Sequence, residues 1–190
     1  VYVEWLNVSA GFATPPDWLA GHLALLHDGA AWVGVDAQSV GVQGGSNTVA
    51  GIAPGGLKAA DPARYGSLSH PGDSYSYDIF TQAGMAARRG VGLLGALRPR
   101  HVLAVGESQS AFRLVTYIDG IQPRSHAFDG FLVHSRWANG DRLSQAPLPN
   151  IAPPAGTVIR SDLGVPVLTY ETETDLLHGV VTARQRDSQR

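Results

Sequence analysis

The residue in this sequence best placed to do chemistry is Ser108, in the run Val105-Gly106-Glu107-Ser108-Gln109-Ser110-Ala111. The run joins an apolar stretch of strand type to an apolar stretch of helical type. A serine at such a junction sits on a strained turn, which demands small residues two places before and after it, where the strand and helix backbones nearly touch. Gly106 and Ser110 meet that limit, although glycine is the commoner residue at the second site. The chemistry this suits is nucleophilic attack on a carbonyl, because the first free N–H groups of the helix favour a developing oxyanion. Gln109 is the expected first oxyanion donor, and the loop Asn7–Gly11 is expected to supply a second through Val8 or Ser9. An ordinary tight turn would leave the same traces.

A serine nucleophile needs an acid and a histidine, and sites of this kind follow the chain order serine, acid, histidine. Val165–Tyr170 reads as a strand leading into Glu171-Thr172-Glu173-Thr174-Asp175. Asp175 is the expected acid, with Glu173 the alternative and a solvated turn carboxylate the plain reading of either. Only His178 follows, too near Asp175 for the usual arrangement, and it reads as an exposed histidine. The catalytic histidine is therefore expected beyond Arg190. His134, at a strand end, and His70, in a long loop, are candidates for the substrate pocket, together with Tyr75 and Trp137. Each has a structural alternative. Tyr77 and Phe112 would add apolar surface, Phe112 more naturally as core.

Several classes of function are disfavoured. With no cysteine, thiolate nucleophiles, disulfides and iron–sulfur clusters are excluded. Gly90-Val91-Gly92-Leu93-Leu94-Gly95 matches a dinucleotide fingerprint in letters only, since it follows a helix where that motif must follow a strand. No cofactor is expected, and no metal, because no pair of histidines or carboxylates has ligand spacing on one helix. The net charge of -2 comes from mixed signs with no basic stripe, so neither nucleic acid nor a membrane surface is an expected partner. The expected partner is a small-molecule ester. A soluble chain is expected, its compartment and oligomeric state left open.

The elements that must position these residues alternate between strand and helix. Strands are expected at Val1–Asn7, Ala31–Val35, His101–Val105, Phe128–Val133 and Val165–Tyr170. Helices are expected from Pro16 to Gly29, with Trp18, Leu19, His22, Leu23, Leu25 and Leu26 forming an apolar face, and over Tyr75–Arg89 and Gln109–Ile118. Alternation of this kind implies an α/β fold with a mostly parallel sheet flanked by helices. With 190 residues, of which 44% are hydrophobic, the chain is long enough for one domain spanning 1–190. The Gly-rich stretch Ser39–Gly72 is too long for a plain connection, and Trp137–Gly164 reads as a cap or lid insert. Val1 opens directly in a strand without methionine, and Arg184–Arg190 is a polar run, so the chain reads as the central part of a longer protein.

With these residues in view, the sequence resembles the alpha/beta hydrolase domain family, a set of largely uncharacterised bacterial proteins. The likeness rests on Val3-Glu4-Trp5-Leu6-Asn7-Val8-Ser9, Trp32-Val33-Gly34-Val35, the long run Tyr65 to Ile79, and Gly106-Glu107-Ser108-Gln109-Ser110. Gly130 to Arg136 and Glu173-Thr174-Asp175 extend it. The resemblance implies an α/β-hydrolase fold, an esterase-like serine hydrolase, and Ser108 and Asp175 as two members of a Ser-Asp-His triad. It also implies a histidine motif beyond this sequence. Two other readings remain open: a catalytically silent relative that binds a small ligand or partner through the same cleft, and an acyltransferase or lyase using the same serine.

Overall fold

The computed structural model describes residues 1–45, 55–90, 92–153 and 156–178. Five strands, β1 (Tyr2–Trp5), β2 (Trp32–Val35), β3 (Leu103–Glu107), β4 (Gly130–His134) and β5 (Val167–Tyr170), form one sheet in the order β2-β1-β3-β4-β5. Every pairing is parallel. The α/β fold expected from the alternation is the fold observed.

That strand order contains a switch point. From β1 the chain crosses to β2 on one side, whereas β3 lies on the other side of β1 and the chain then proceeds outward through β4 to β5. Connections leaving β1 and β3 therefore diverge, and the carboxyl ends of these two strands are where open α/β sheets place their ligand sites. The Asn7–Gly11 loop and the turn at Ser108 lie there.

The two faces of the sheet are covered unequally. Val3, Trp5, Ala104, Phe131 and Val133 point to one face, where they meet α5 (Ser76–Arg89) and α6 (Gln109–Gly120) in the main core. Aromatic rings fill that layer, with Trp5 and Phe80 centroids 4.7 Å apart and Phe80 and Phe128 5.0 Å apart. The other face carries α1 (Pro16–His27), which is anchored by charge. The carboxylate of Glu4 accepts hydrogen bonds from the N–H groups of Asp17 (3.0 Å) and Trp18 (3.1 Å) in its first turn and from the Trp32 indole (2.8 Å). An anion at a helix N-terminus is favourably placed, although burial pushes the Glu4 carboxyl above its ordinary pKa range. The Trp18 and Trp32 rings stack at 4.9 Å.

The apolar face expected of α1 is split: Trp18, His22 and Leu25 are half-buried, whereas its other leucines are turned outward. Leu19, Leu23 and Leu26 are 64%, 74% and 56% exposed, and no residue of the helix is buried. Polar anchoring, not leucine burial, sets its rotation.

The long Ser39–Gly72 stretch contains three short helices, α2 (Ser39–Gln43), α3 (Leu57–Ala60) and α4 (Pro62–Tyr65), with residues 46–54 outside the described part. A further turn, α7 (Gln122–Ser125), and α8 (Glu173–His178) complete the helices described. The Trp137–Gly164 segment has no regular element among its described residues beyond a bridge between Ser144 and Ile151. It runs along one face of α6, where Asp141 N–H donates to Phe112 O (3.0 Å), Thr116 Oγ1 donates to Asp141 O (2.7 Å) and Arg160 N–H donates to Asp119 (2.9 Å).

Candidate active site

Ser108 stands one residue past β3 and caps α6, with φ 55° and ψ -117°. Positive φ at a residue with a Cβ costs about 1–3 kcal/mol and persists only where the surroundings enforce it. Here they do. The N–H of Ser108 donates to His134 O (2.9 Å), and the carbonyl of the same peptide unit, Glu107 O, accepts from Asn7 Nδ2 (3.0 Å) and Ser110 Oγ (2.8 Å).

The two small residues of the turn have different reasons. A Cβ on Gly106 would lie 3.0 Å from Ser110 O, tighter than ordinary contact. Ser110 is fully buried and does more than stay small, because its hydroxyl also accepts from the Glu107 N–H (3.0 Å). Serine therefore fastens the turn where the commoner glycine would only fit it.

The acid end of the site is also well defined. Asp175 is 6% exposed and accepts from Thr172 N–H, Thr172 Oγ1 and Ser135 Oγ at Oδ2, each at 2.7 Å, and from Trp137 Nε1 at Oδ1, also 2.7 Å. Burial alone pushes its carboxyl up; the donors from Thr172, Ser135 and Trp137 outweigh it and hold the pKa down to about 2. Glu173, the alternative at the sequence level, is exposed in the first turn of α8. The geometry favours Asp175 as the buried, oriented carboxylate.

Strand succession places both ends on one sheet edge. Ser108 follows β3, Ser135 follows β4 with its N–H on Tyr170 O (2.8 Å), and Asp175 lies just beyond β5. Strands two apart in a sheet are separated by about 10 Å.

Among the residues whose side chains are described, no imidazole is hydrogen-bonded to Asp175. His134 directs Nδ1 to Asp17 Oδ1 (2.9 Å) and packs its ring on Tyr170. His70 sits between Ala37 O (3.0 Å) and the Gly72 N–H (3.1 Å). The side chain of His178 and the region 179–190 lie outside the described residues.

Other nominated residues find distinct places. Trp137, expected in a pocket, is tied to Asp175 by its indole and meets Phe112 edge-on at 5.9 Å. Tyr75 ends the 3-10 turn Asp73–Tyr75 and is exposed. A shallow recess lies between Ser39, Gly72, Asp73 and the Arg142–Asn150 loop, and none of His70, Tyr75, His134 and Trp137 lines it. Of the two oxyanion candidates in the early loop, the Ser9 N–H is already given to Asn7 Oδ1 (2.8 Å), while Val8 is buried in the turn that Gly11 N–H closes onto Val8 O (2.9 Å). The Gln109 N–H is the first of α6 and has no acceptor within the helix.

Sequence reasoning named the Asn7–Gly11 loop but not the role of the Asn7 side chain, and it missed Ser135 and Thr172 as partners of Asp175. Ser135 reaches Asp175 only through the pairing of β4 with β5, which leaves no local pattern, whereas Thr172 lies three residues before Asp175 and exchanges hydrogen bonds with it as a capping box, a spacing that is visible in the sequence. Among the described residues no group of three or more metal-ligating side chains converges.

A family model described as alpha/beta hydrolase domain matches residues 1–190. No curated protein and no solved structure gives a significant match to the chain.

Proposed function

We propose that this chain, which belongs to the alpha/beta hydrolase domain family across residues 1–190, is a serine hydrolase that cleaves carboxylic esters through an acyl-enzyme. The observation that carries the reading is the backbone of Ser108, held at positive φ at the head of α6 beside the switch point of the sheet. In the proposed mechanism Ser108 Oγ attacks the ester carbonyl carbon and its proton passes to a histidine supplied from outside the described side chains. The oxyanion is held by the Gln109 N–H and an N–H of the Asn7–Gly11 loop, from Val8 or from a Ser9 N–H released by Asn7. Collapse expels the alcohol, which takes the proton back, and water then repeats the sequence to release the acid. Asp175, ionised throughout the range in which an imidazole titrates, orients the histidine and stabilises its cation. Residues 137–164 serve as a cap on the alcohol side, a role favoured by their attachment along α6, which begins at the nucleophile.

The experiment is hydrolysis of p-nitrophenyl esters of increasing acyl length, by residues 1–190 and by a longer protein containing them. Ser108→Ala is expected to lower kcat by at least about 10³-fold and Asp175→Asn by about 10²-fold or more. Turnover that survives Ser108→Ala would overturn the reading.

One observation favours a second reading, a silent relative that binds a ligand at the same strand ends. Asp175 already has four hydrogen-bond donors, one of them Trp137 on the oxygen otherwise open to an imidazole. Saturable binding of an ester without turnover, in the longer protein as well, would select it. Transfer of the acyl group to an added alcohol in preference to water would instead select an acyltransferase.

A further inference from the structure

We infer that Asn7 is the positioning residue that sets the oxyanion loop against the nucleophile turn, an inference that rests on the acyl-transfer reading above. Asn7 stands two residues past β1, beside the turn that carries Ser108, and is almost fully buried. A buried primary amide must find partners for two hydrogens and an oxygen. Those of Asn7 are divided between the two halves of the site.

The Nδ2 hydrogens cross to β3, one to Glu107 O (3.0 Å) and one to Glu107 Oε2 (2.9 Å). Oδ1 turns back to accept the Ser9 N–H (2.8 Å). The backbone of Asn7 is itself fixed, with its N–H on Thr14 O and its carbonyl accepting the Thr14 N–H, both at 2.8 Å. One planar amide therefore joins the loop to the turn, and neither can rotate without breaking a buried hydrogen bond.

The contact with Glu107 O matters most. That oxygen belongs to the peptide unit whose nitrogen is Ser108 N, and a peptide unit is planar. With Asn7 and Ser110 on its oxygen and His134 O on its N–H, the plane preceding the nucleophile is clamped at both poles. The clamp keeps Ser108 at positive φ and fixes where Oγ stands relative to the amides of the 8–11 loop. Asn7 touches neither substrate nor the reacting atoms in this account. It sets the distance between the group that attacks and the groups that receive the charge.

The test exchanges donor and acceptor across the 2.9 Å contact. Asn7→Asp keeps the shape and the acceptor for the Ser9 N–H but removes the donor to Glu107. It should lower kcat about 10- to 100-fold with KM within about twofold, since an oxyanion donor misplaced acts in the transition state and not on substrate binding. Adding Glu107→Gln returns a donor to the side-chain contact but leaves Glu107 O without its Asn7 donor, so the double variant should stay at least about tenfold below the parent in kcat. A kcat unchanged by Asn7→Asp, a loss expressed in KM, or a double variant restored to the parent would overturn the inference. Amide exchange in the unsubstituted protein is a check that needs no variant. The Ser9 N–H should be protected, and exchange there at the rate of an open loop would overturn the inference equally. Absence of any Ser108-dependent turnover in the unsubstituted protein would instead remove the acyl-transfer reading, and this role with it.

Discussion

Asp175 shows how a single residue ties stability to chemistry. Its pKa of about 2 lies below the ordinary carboxylate value, so the folded state binds this proton less readily than the unfolded chain. The resulting stabilisation is complete above about pH 4 and is lost as the pH falls toward 2. Allowing for solvent screening at the rim of the site, it is worth about 1–2 kcal/mol. Asp175→Asn should therefore be less stable by about that amount in urea unfolding at pH 7, and the gap should narrow steadily as the pH falls below about 4 toward 2; a gap independent of pH would contradict the charge-assisted account. The places of Ser108 after β3, of Gln109 at the start of α6 and of Asp175 beyond β5 were legible in the sequence because each follows a strand in a pattern with a local signature. Ser9 was nominated from the same loop, but which amide of a loop is engaged depends on a side chain, Asn7, whose partners lie 100 residues away in sequence. That information is absent from any window of residues.

Between single residues and the whole lie the turn and its flanking elements. The turn of β3 into α6 is held by Ser110, whose hydroxyl both donates to and accepts from Glu107. Ser110→Gly, which restores the commoner small residue, should cost about 1–2 kcal/mol in thermal or urea unfolding, through two lost hydrogen bonds and a more flexible unfolded chain. Stability equal to the parent would show that size alone matters there. The same element shows why boundaries shift. Sequence reading starts the strand at His101, but the Val102 N–H is taken by Asp129 Oδ2 (2.8 Å), and the ladder begins at Leu103. For α1 the helix itself was legible from Pro16 and the leucine spacing, but not its rotation. Period 3.6 identifies an apolar stripe; it does not say that Glu4 and Trp32 will hold its Trp18 edge to the sheet and leave Leu19, Leu23 and Leu26 outside.

Across the whole molecule, the α/β class followed from alternation, and the strand order did not. Nothing local to β1 says that it lies between β2 and β3, yet that placement creates the switch point and brings Asn7 against Glu107. The sites expected at strand ends collect on one edge because all five strands are parallel. Among the described residues no helix is long and apolar enough to cross a membrane. The proposed function makes one central claim: the serine at the switch point is the reactive group. The measurement that tests it most directly is labelling by a fluorophosphonate probe, read by intact mass, on residues 1–190 and on a longer protein containing them, each beside its Ser108→Ala variant. The account predicts a single adduct that requires Ser108, in the longer protein if the histidine lies there. An unlabelled Ser108 in both forms, or an adduct that persists in Ser108→Ala, would contradict it.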